Sequence, residues 1–371
     1  MVDPDGLMEF SVVFTDRSLN HMSAAFRKVM TDISGLLKEV YNAEAAIIVP
    51  GGGTYAMEAV ARQFATDRKT LVIRNGWFSY RWSQIFDAGD IPSEQIVLKA
   101  RAVGNDLPAP YAPCPIDEVV RSIRHERPNV VFAPHVETSS GIMLPDSYMK
   151  AAADAAHEVG ALFVLDCIAS GTVWVDMKAV GVDVLISAPQ KGWSSSPSAG
   201  LVTLSERAVT ALQGTRSSSF SVDLGKWHQI MQAYENGGHA YHSTMPTDAL
   251  TRFRDTMLET QALGFDKLRD QQLELGAGVR KLLAEHGFKS VAAAGFEAPG
   301  VVVSYTDDPD IQNGKKFAEQ GMQIAAGVPL MCDEPDGFST FRLGLFGLDK
   351  LADTNAAVEK LNTVLSKINA A

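Results

Sequence analysis

The chain has 371 residues, 46% of them hydrophobic, enough to bury one large core and a second smaller one beside it. Its 33 basic residues against 44 acidic ones leave a formal net charge of -11, opposite in sign to a surface that tracks a phosphate backbone, so nucleic acid is not expected as a partner. No apolar run approaches the length of a bilayer span, and the opening MVDPDGLMEF has no basic segment leading into an apolar one. The three scattered cysteines, Cys114, Cys167 and Cys332, suit neither a disulfide framework nor a zinc knuckle; a cytoplasmic protein with reduced thiols is expected.

Short runs rich in Val, Ile and Leu recur between stretches of helical character, the pattern of parallel strands joined by crossover helices. The expected strands end at Pro50, Arg74, Lys99, Pro134, Asp166, Ser187 and Leu204, and helices are expected over Tyr55 to Ala65, Ile116 to Arg127 and Tyr148 to Val159. This predicts an α/β domain with a mostly parallel seven-stranded sheet covered by helices, with ligands beyond the carboxyl ends of the strands. From Thr247 to Glu285 the pattern is helical without strands. Beyond it, VVVSY near Val302, a helix near Lys316 and FRLGLFG at Phe341 predict a smaller C-terminal α+β unit. The expected division is an N-terminal arm over 1–20, a large domain over 21–250 and a small domain over 251–371.

Several strand ends carry residues that suit chemistry. VPGGGTYAMEAV runs from a strand through Gly51, Gly52, Gly53 and Thr54 into a helix. Bare glycines let backbone N–H groups approach an anion, and the helix N-terminus adds partial positive charge. The run matches neither a dinucleotide fingerprint nor a P-loop, and a tight turn explains it equally. NGWFSYRW places Trp77, Phe78 and Trp82 after the next strand, where a ring can stack on a flat ligand or pack in the core. HVETSSGIMLP gathers Glu137, Thr138, Ser139 and Ser140, short groups that suit a phenolic oxygen, a carboxylate or a turn. ALFVLDCIAS puts Asp166 at the end of an apolar strand, where a carboxylate needs a cation, a helix N-terminus or a metal. DVLISAPQKGWSSSPSAG ends another buried-type strand in a loop with a single lysine, Lys191: a Schiff-base amine if desolvated, a solvated charge if not. His239 and His242 lack a third ligand at metal spacing, so no metal is expected.

Taken in this order, the segments from about His21 to Arg342 resemble the class V aminotransferases of fold type I, in particular the alanine/serine–glyoxylate and serine–pyruvate aminotransferases. The family's S-G-[ST]-G-[TH] turn, which holds the phosphate of pyridoxal 5'-phosphate, is similar to Pro50–Thr54 and implies that role for Gly52, Gly53 and Thr54. N-G-x-[WF]-G-x-R matches Asn75 to Arg81 and implies ring stacking by Phe78. H-x-E-[ST]-S-[ST]-G matches His135 to Gly141, implying that Ser139, or next Thr138, contacts the ring oxygen or the substrate. D-[SC]-[VI]-A-S matches Asp166 to Ser170, which implies Asp166 at the ring nitrogen and Ile168 on the second ring face. S-x-x-Q-K matches Ser187 to Lys191, making Lys191 the Schiff-base lysine and Gln190 a phosphate contact.

Y-H-x-T-x-P matches Tyr241 to Pro246; in relatives the Tyr and Thr reach the neighbouring subunit's phosphate, which implies a homodimer with Tyr241 and Thr244 shared between sites. F-R-[IL]-G matches Phe341 to Gly344 and implies that Arg342 grips a substrate carboxylate. The resemblance thus implies an aminotransferase acting on a small amino acid and a 2-oxo acid such as glyoxylate or pyruvate. The alternative within the fold is a lyase or cysteine desulfurase, for which Cys332 in GVPLMCDEP is the expected thiol. The family's usual Gly-Pro-rich opening loop is replaced here by DPDGLMEFSVVFTDRSLNHMS.

Overall fold

Seven apolar segments join in one sheet in the computed structural model, which describes residues 2–104 and 108–370. In chain order they are β1 (Ala45–Pro50), β2 (Lys69–Arg74), β3 (Glu94–Lys99), β4 (Val130–Pro134), β5 (Leu162–Asp166), β6 (Val184–Ser187) and β7 (Ala199–Leu204). Side by side they run β1-β7-β6-β5-β4-β2-β3. The pairs β2–β3, β2–β4, β4–β5 and β5–β6 are parallel, while β7 is antiparallel to both of its neighbours. The central strands β4, β5 and β6 are buried at every position, which is why their sequences read as unbroken apolar runs and not as an alternation.

The crossover helices lie where the helical stretches are expected, over Gly53–Phe64, Ile116–Glu126 and Asp146–Glu158. The first starts two residues before the expected Tyr55, because Gly52 takes the extended N-cap position and leaves Gly53 and Thr54 in the first turn. That helix lies with its backbone directly on β7: a Cβ on Gly200 would fall 2.7 Å from the Gly52 carbonyl oxygen and 2.9 Å from the Ala56 nitrogen. Only a glycine permits so close an approach.

The helices Thr247–Leu263 and Phe265–Glu285 are separated by Gly264, whose φ of 94° interrupts the helical path. The first buries Leu250, Phe253 and Met257 in the large core, whereas Leu268 and Leu275 of the second belong to a separate core. That second core lies under a three-stranded antiparallel sheet of β8 (Val301–Tyr305), β9 (Ala325–Ala326) and β10 (Thr340–Gly344), with β10 in the middle. A third cluster, in which Val136, Ile142 and Ala169 meet Val291, Val301 and Leu330, seats this sheet on the loops above β4 and β5. The small sheet is thereby held over the carboxyl ends of the large one.

Gly200→Ala should force the helix Gly53–Phe64 away from β7. We expect a loss of about 1–3 kcal/mol in urea unfolding, with weakened anion binding at the helix start. An unchanged midpoint would mean that helix and strand separate freely.

Candidate active site

The parallel strands deliver their following residues to one edge of the sheet. Gly52 and Gly53 follow β1, Phe78 follows β2, Thr138 follows β4, Asp166 ends β5 and Lys191 follows β6. Asp166 lies opposite Pro134 on one side and Ile186 on the other, so its carboxyl group starts from the middle of the sheet. One of its oxygens accepts from the Ile168 N–H at 2.9 Å. Burial nevertheless raises its pKa from 3.8 to about 6, against the Ile168 hydrogen bond and the nearby charges of Lys191 and Arg81. The carboxyl group therefore lacks the cation that would hold it ionised.

Lys191 is displaced in the opposite sense. Burial lowers the pKa of its amine, opposed by Asp166 and Glu137 and assisted by the positive charges of Arg342 and Arg81. Its Nζ lies 5.8 Å from the ring centres of both Phe78 and Phe346. A desolvated amine among aromatic rings has a larger neutral fraction than a solvent-exposed lysine, as a nucleophile or proton acceptor requires.

Glu137 organises the adjoining wall. Its fully buried carboxylate accepts from the backbone N–H groups of Phe78 at 3.1 Å, Ser79 at 2.8 Å and Ser139 at 3.1 Å, and from the hydroxyls of Ser79 at 2.7 Å and Ser139 at 2.8 Å. It does the work of an N-cap for the helix Trp77–Gly89, whose preceding residue, Gly76, has no side chain to do so. A Cβ on Gly76 would lie 2.8 Å from the Glu137 Cγ, so the glycine makes room for the carboxylate.

The Ser139 hydroxyl proton is committed to Glu137, and its oxygen also accepts from the Trp77 N–H at 2.8 Å. Thr138 is different: its buried Oγ1 has no partner. Where the sequence puts Ser139 first and Thr138 second, the structure leaves only Thr138 with a hydroxyl to spare.

Arg342 projects from the middle strand of the small sheet. Its Nε donates to the Ala326 carbonyl at 2.8 Å, its Nη1 reaches the Thr138 carbonyl at 3.5 Å, and its Cζ lies 5.5 Å from the Phe78 ring centre. No carboxylate pairs with it among the described residues. Gly53 packs so closely on Ile168 that a Cβ there would fall 2.5 Å from Ile168 Cδ1. Gly52, Gly53, Thr54, Phe78, Thr138, Asp166, Ile168, Lys191 and Arg342 are thus gathered along one sheet edge.

Three expected residues make no hydrogen bond to that group among the described residues. Gln190 is exposed. Tyr241 and Thr244 are exposed too, hydrogen-bonded to each other at 3.0 Å, with the Tyr241 ring 5.5 Å from His21. Two further residues belong to the site. Phe346 lies two and four places beyond Gly344 and Arg342, a period that puts all three on one face, and this was a usable signal. Arg81 follows Phe78 by three places on the same helix and donates to Thr54 Oγ1 at 3.2 Å.

Cys332 is buried, and its thiol donates to the Arg74 carbonyl at 3.5 Å. Burial, with Glu137 nearby, pushes its pKa up to about 12. A thiol so held is not the thiolate that a desulfurase needs. Among the described residues no three His, Cys, Asp or Glu side chains are grouped as metal ligands.

A seven-stranded α/β fold that gathers a desolvated lysine, a strand-end carboxyl group and an unpaired arginine at one edge of its sheet defines an enzyme of the fold type I class. The family model described as Aminotransferase class-V matches residues 11–328, and the chain belongs to that family. A soluble hydrogenase small subunit from Synechococcus sp. is 25% identical over 94% of this chain and 88% of its own. An L-aspartate–glyoxylate aminotransferase from Paracoccus denitrificans is 24% identical over 74% of this chain and 67% of its own. The crystal structure of an alanine–glyoxylate aminotransferase from Nostoc sp. superposes with a TM-score of 0.80 at 21% identity, over 95% of this chain and 89% of that one, and shares the fold.

The raised pKa of Asp166 yields a prediction for the cofactor-free protein. Its folded-state pKa lies above the unfolded value, so the stability it contributes is fully present below about pH 4 and is lost as pH rises through about 6. Asp166→Asn removes that titration, and the variant should gain on wild type between about pH 4 and pH 7 by at most about 3 kcal/mol. A stability difference that stays flat over this range in urea unfolding would show that the carboxyl group titrates normally.

Proposed function

We propose that the protein is a pyridoxal-phosphate-dependent aminotransferase that moves the amino group of a small amino acid, of the alanine, serine or aspartate type, to a 2-oxo acid such as glyoxylate or pyruvate. The observation that carries this reading is the pair at the ends of β5 and β6: a buried carboxyl group that needs a cation and a desolvated lysine beside it. Family membership and the Paracoccus relative's named activity support it. Lys191, Asp166 and Arg342 together favour amino transfer over the activity named for the Synechococcus relative.

The residues fit the cofactor. The backbone at Gly52, Gly53 and Thr54, at a helix start, suits its phosphate, with Gln190 as a further contact. Phe78 and Ile168 suit the two faces of its ring, and the unpartnered Thr138 hydroxyl suits its ring oxygen or the substrate, with Ser139 behind it. When bound, pyridoxal phosphate supplies the electron sink that makes a substrate α-hydrogen acidic.

The rest of the chemistry falls to this chain's own side chains. Asp166 holds a proton at the ring nitrogen. Lys191 Nζ, neutral for a larger fraction of the time than a free lysine, takes the α-proton and returns it. Arg342 grips the substrate carboxylate with a planar fork and fixes the orientation of the breaking C–H bond.

In this reading the arm 1–20, a large unit and a small unit assemble as a cytoplasmic homodimer; the boundary expected at 250 moves to Gly264, because Phe253 and Met257 pack in the large core. The exposed Tyr241 and Thr244 would serve the partner subunit's phosphate site, which agrees with their lying at the surface, bonded to each other.

Protein incubated with pyridoxal phosphate should turn yellow, and borohydride should fix the cofactor on the peptide that contains Lys191. A panel of amino acids against glyoxylate, pyruvate and 2-oxoglutarate should show turnover that Lys191→Ala abolishes. Protein that takes up no cofactor would remove the proposal. Cys332→Ser separates the lyase alternative: the variant should keep most of its aminotransferase activity, and wild type should release no sulfide from cysteine. Sulfide release that depends on Cys332 would reverse the assignment.

A further inference from the structure

The phosphate cradle read from Gly52, Gly53 and Thr54 consists of backbone N–H groups and one hydroxyl. A helix N-terminus contributes only about half a positive charge, whereas a phosphate monoester carries close to two negative charges at neutral pH. The cradle alone leaves most of that charge uncompensated.

Arg81 stands beside it. Its Nη1 donates to Thr54 Oγ1 at 3.2 Å, and its Cζ lies 5.1 Å from the Phe78 ring centre. Arg62, Arg124 and Arg254 each hold a carboxylate within 3.0 Å, but Arg81 pairs with none among the described residues. Its charge reaches inward, lowering the pKa values of both Asp166 and Lys191. The helix that carries it is fixed at its start by the Glu137 carboxylate, so the guanidinium is aimed by a rigid element and not by a loop. Arg342, the other unpaired arginine of the site, is turned toward the Thr138 and Ala326 carbonyls, leaving the helix start to Arg81.

We propose that Arg81 is the charged partner of the cofactor's phosphate and sets how tightly the protein retains that cofactor, an inference that rests on the pyridoxal-phosphate reading above. A planar guanidinium donates two parallel hydrogen bonds to a phosphate, which a lysine cannot reproduce.

Cofactor-free protein titrated with pyridoxal phosphate and with pyridoxal, which lacks the phosphate, separates this role from others. The signal is the visible absorbance of the Lys191 adduct, so no turnover is needed. Arg81→Gln should weaken pyridoxal phosphate binding by about ten- to a hundredfold and pyridoxal binding far less, with Arg81→Lys in between. Inorganic phosphate should compete with pyridoxal phosphate in wild type and much less in Arg81→Gln. An equal loss for both ligands would overturn the proposal in favour of a structural role. Unchanged affinity for both, with a raised KM for amino acids, would overturn it in favour of a substrate contact. Failure of wild type to bind either ligand would strike the cofactor reading itself.

Discussion

A charge left without a partner at the end of a buried strand governs this structure. Asp166 emerges from β5 between two other parallel strands, where water cannot solvate it and one backbone N–H does not replace that solvation. A carboxyl group buried in this way settles its account in one of two ways: it stays protonated, or it acquires a cation. Its pKa, raised to about 6, records the pull toward the first state. Lys191, one strand over, has the mirror-image problem, and its lowered pKa records the same lack of solvent. The two displacements cost stability that a protein would shed if nothing came to bind there.

Around this pair the chain is built to keep side chains from collapsing onto it. Glu137, itself buried, accepts hydrogen bonds from Phe78, Ser79 and Ser139 that hold the helix Trp77–Gly89; it makes no ion pair with Lys191 or Arg342, although its charge reaches both. Phe78 and Arg81 ride on that helix, which makes the loop after β4 responsible for where the residues after β2 point. The small sheet supplies Arg342 from its middle strand, pinned by carbonyls from two directions. Positive charge thus converges from two independent elements through Arg81 and Arg342, neither of which forms an ion pair with a carboxylate among the described residues.

Much of this was legible in the sequence. The sheet's strands read as short apolar runs, so all seven were visible; Asp166 stood out at the end of such a run and Lys191 in the loop after one, whereas Arg342 was legible only through the family's F-R-[IL]-G pattern. What could not be read was which donor answers which acceptor. Ser139 and Thr138 are adjacent residues of similar chemistry, and only the fold decides that the first is consumed by Glu137 and Trp77 while the second is left free. Arg81 closes the Asn75–Arg81 match, but its role could not be read there, because the absence of a carboxylate partner is a property of the whole neighbourhood and not of a motif. Glu137 read as one of several short polar groups, since its partners lie about sixty residues earlier in the chain.

The same accounting decides between the two chemistries that the fold permits. A thiol can attack only as thiolate, and at Cys332 burial and the Glu137 charge oppose that state and outweigh the backbone hydrogen bond from Ala100 and the Arg74 charge that favour it. Arg74 is close by, but its guanidinium is itself half desolvated and donates to the Met331 carbonyl and the Ser83 hydroxyl, so it does not compensate for the burial. The segment around Cys332 is also tied down, because Glu334 accepts from the N–H groups of Leu330, Met331 and Cys332 in a closed turn. The cysteine serves as packing between the small sheet and the end of β2. Of the two candidate nucleophiles, Cys332 and Lys191, burial drives the thiol away from its reactive form and the amine toward it.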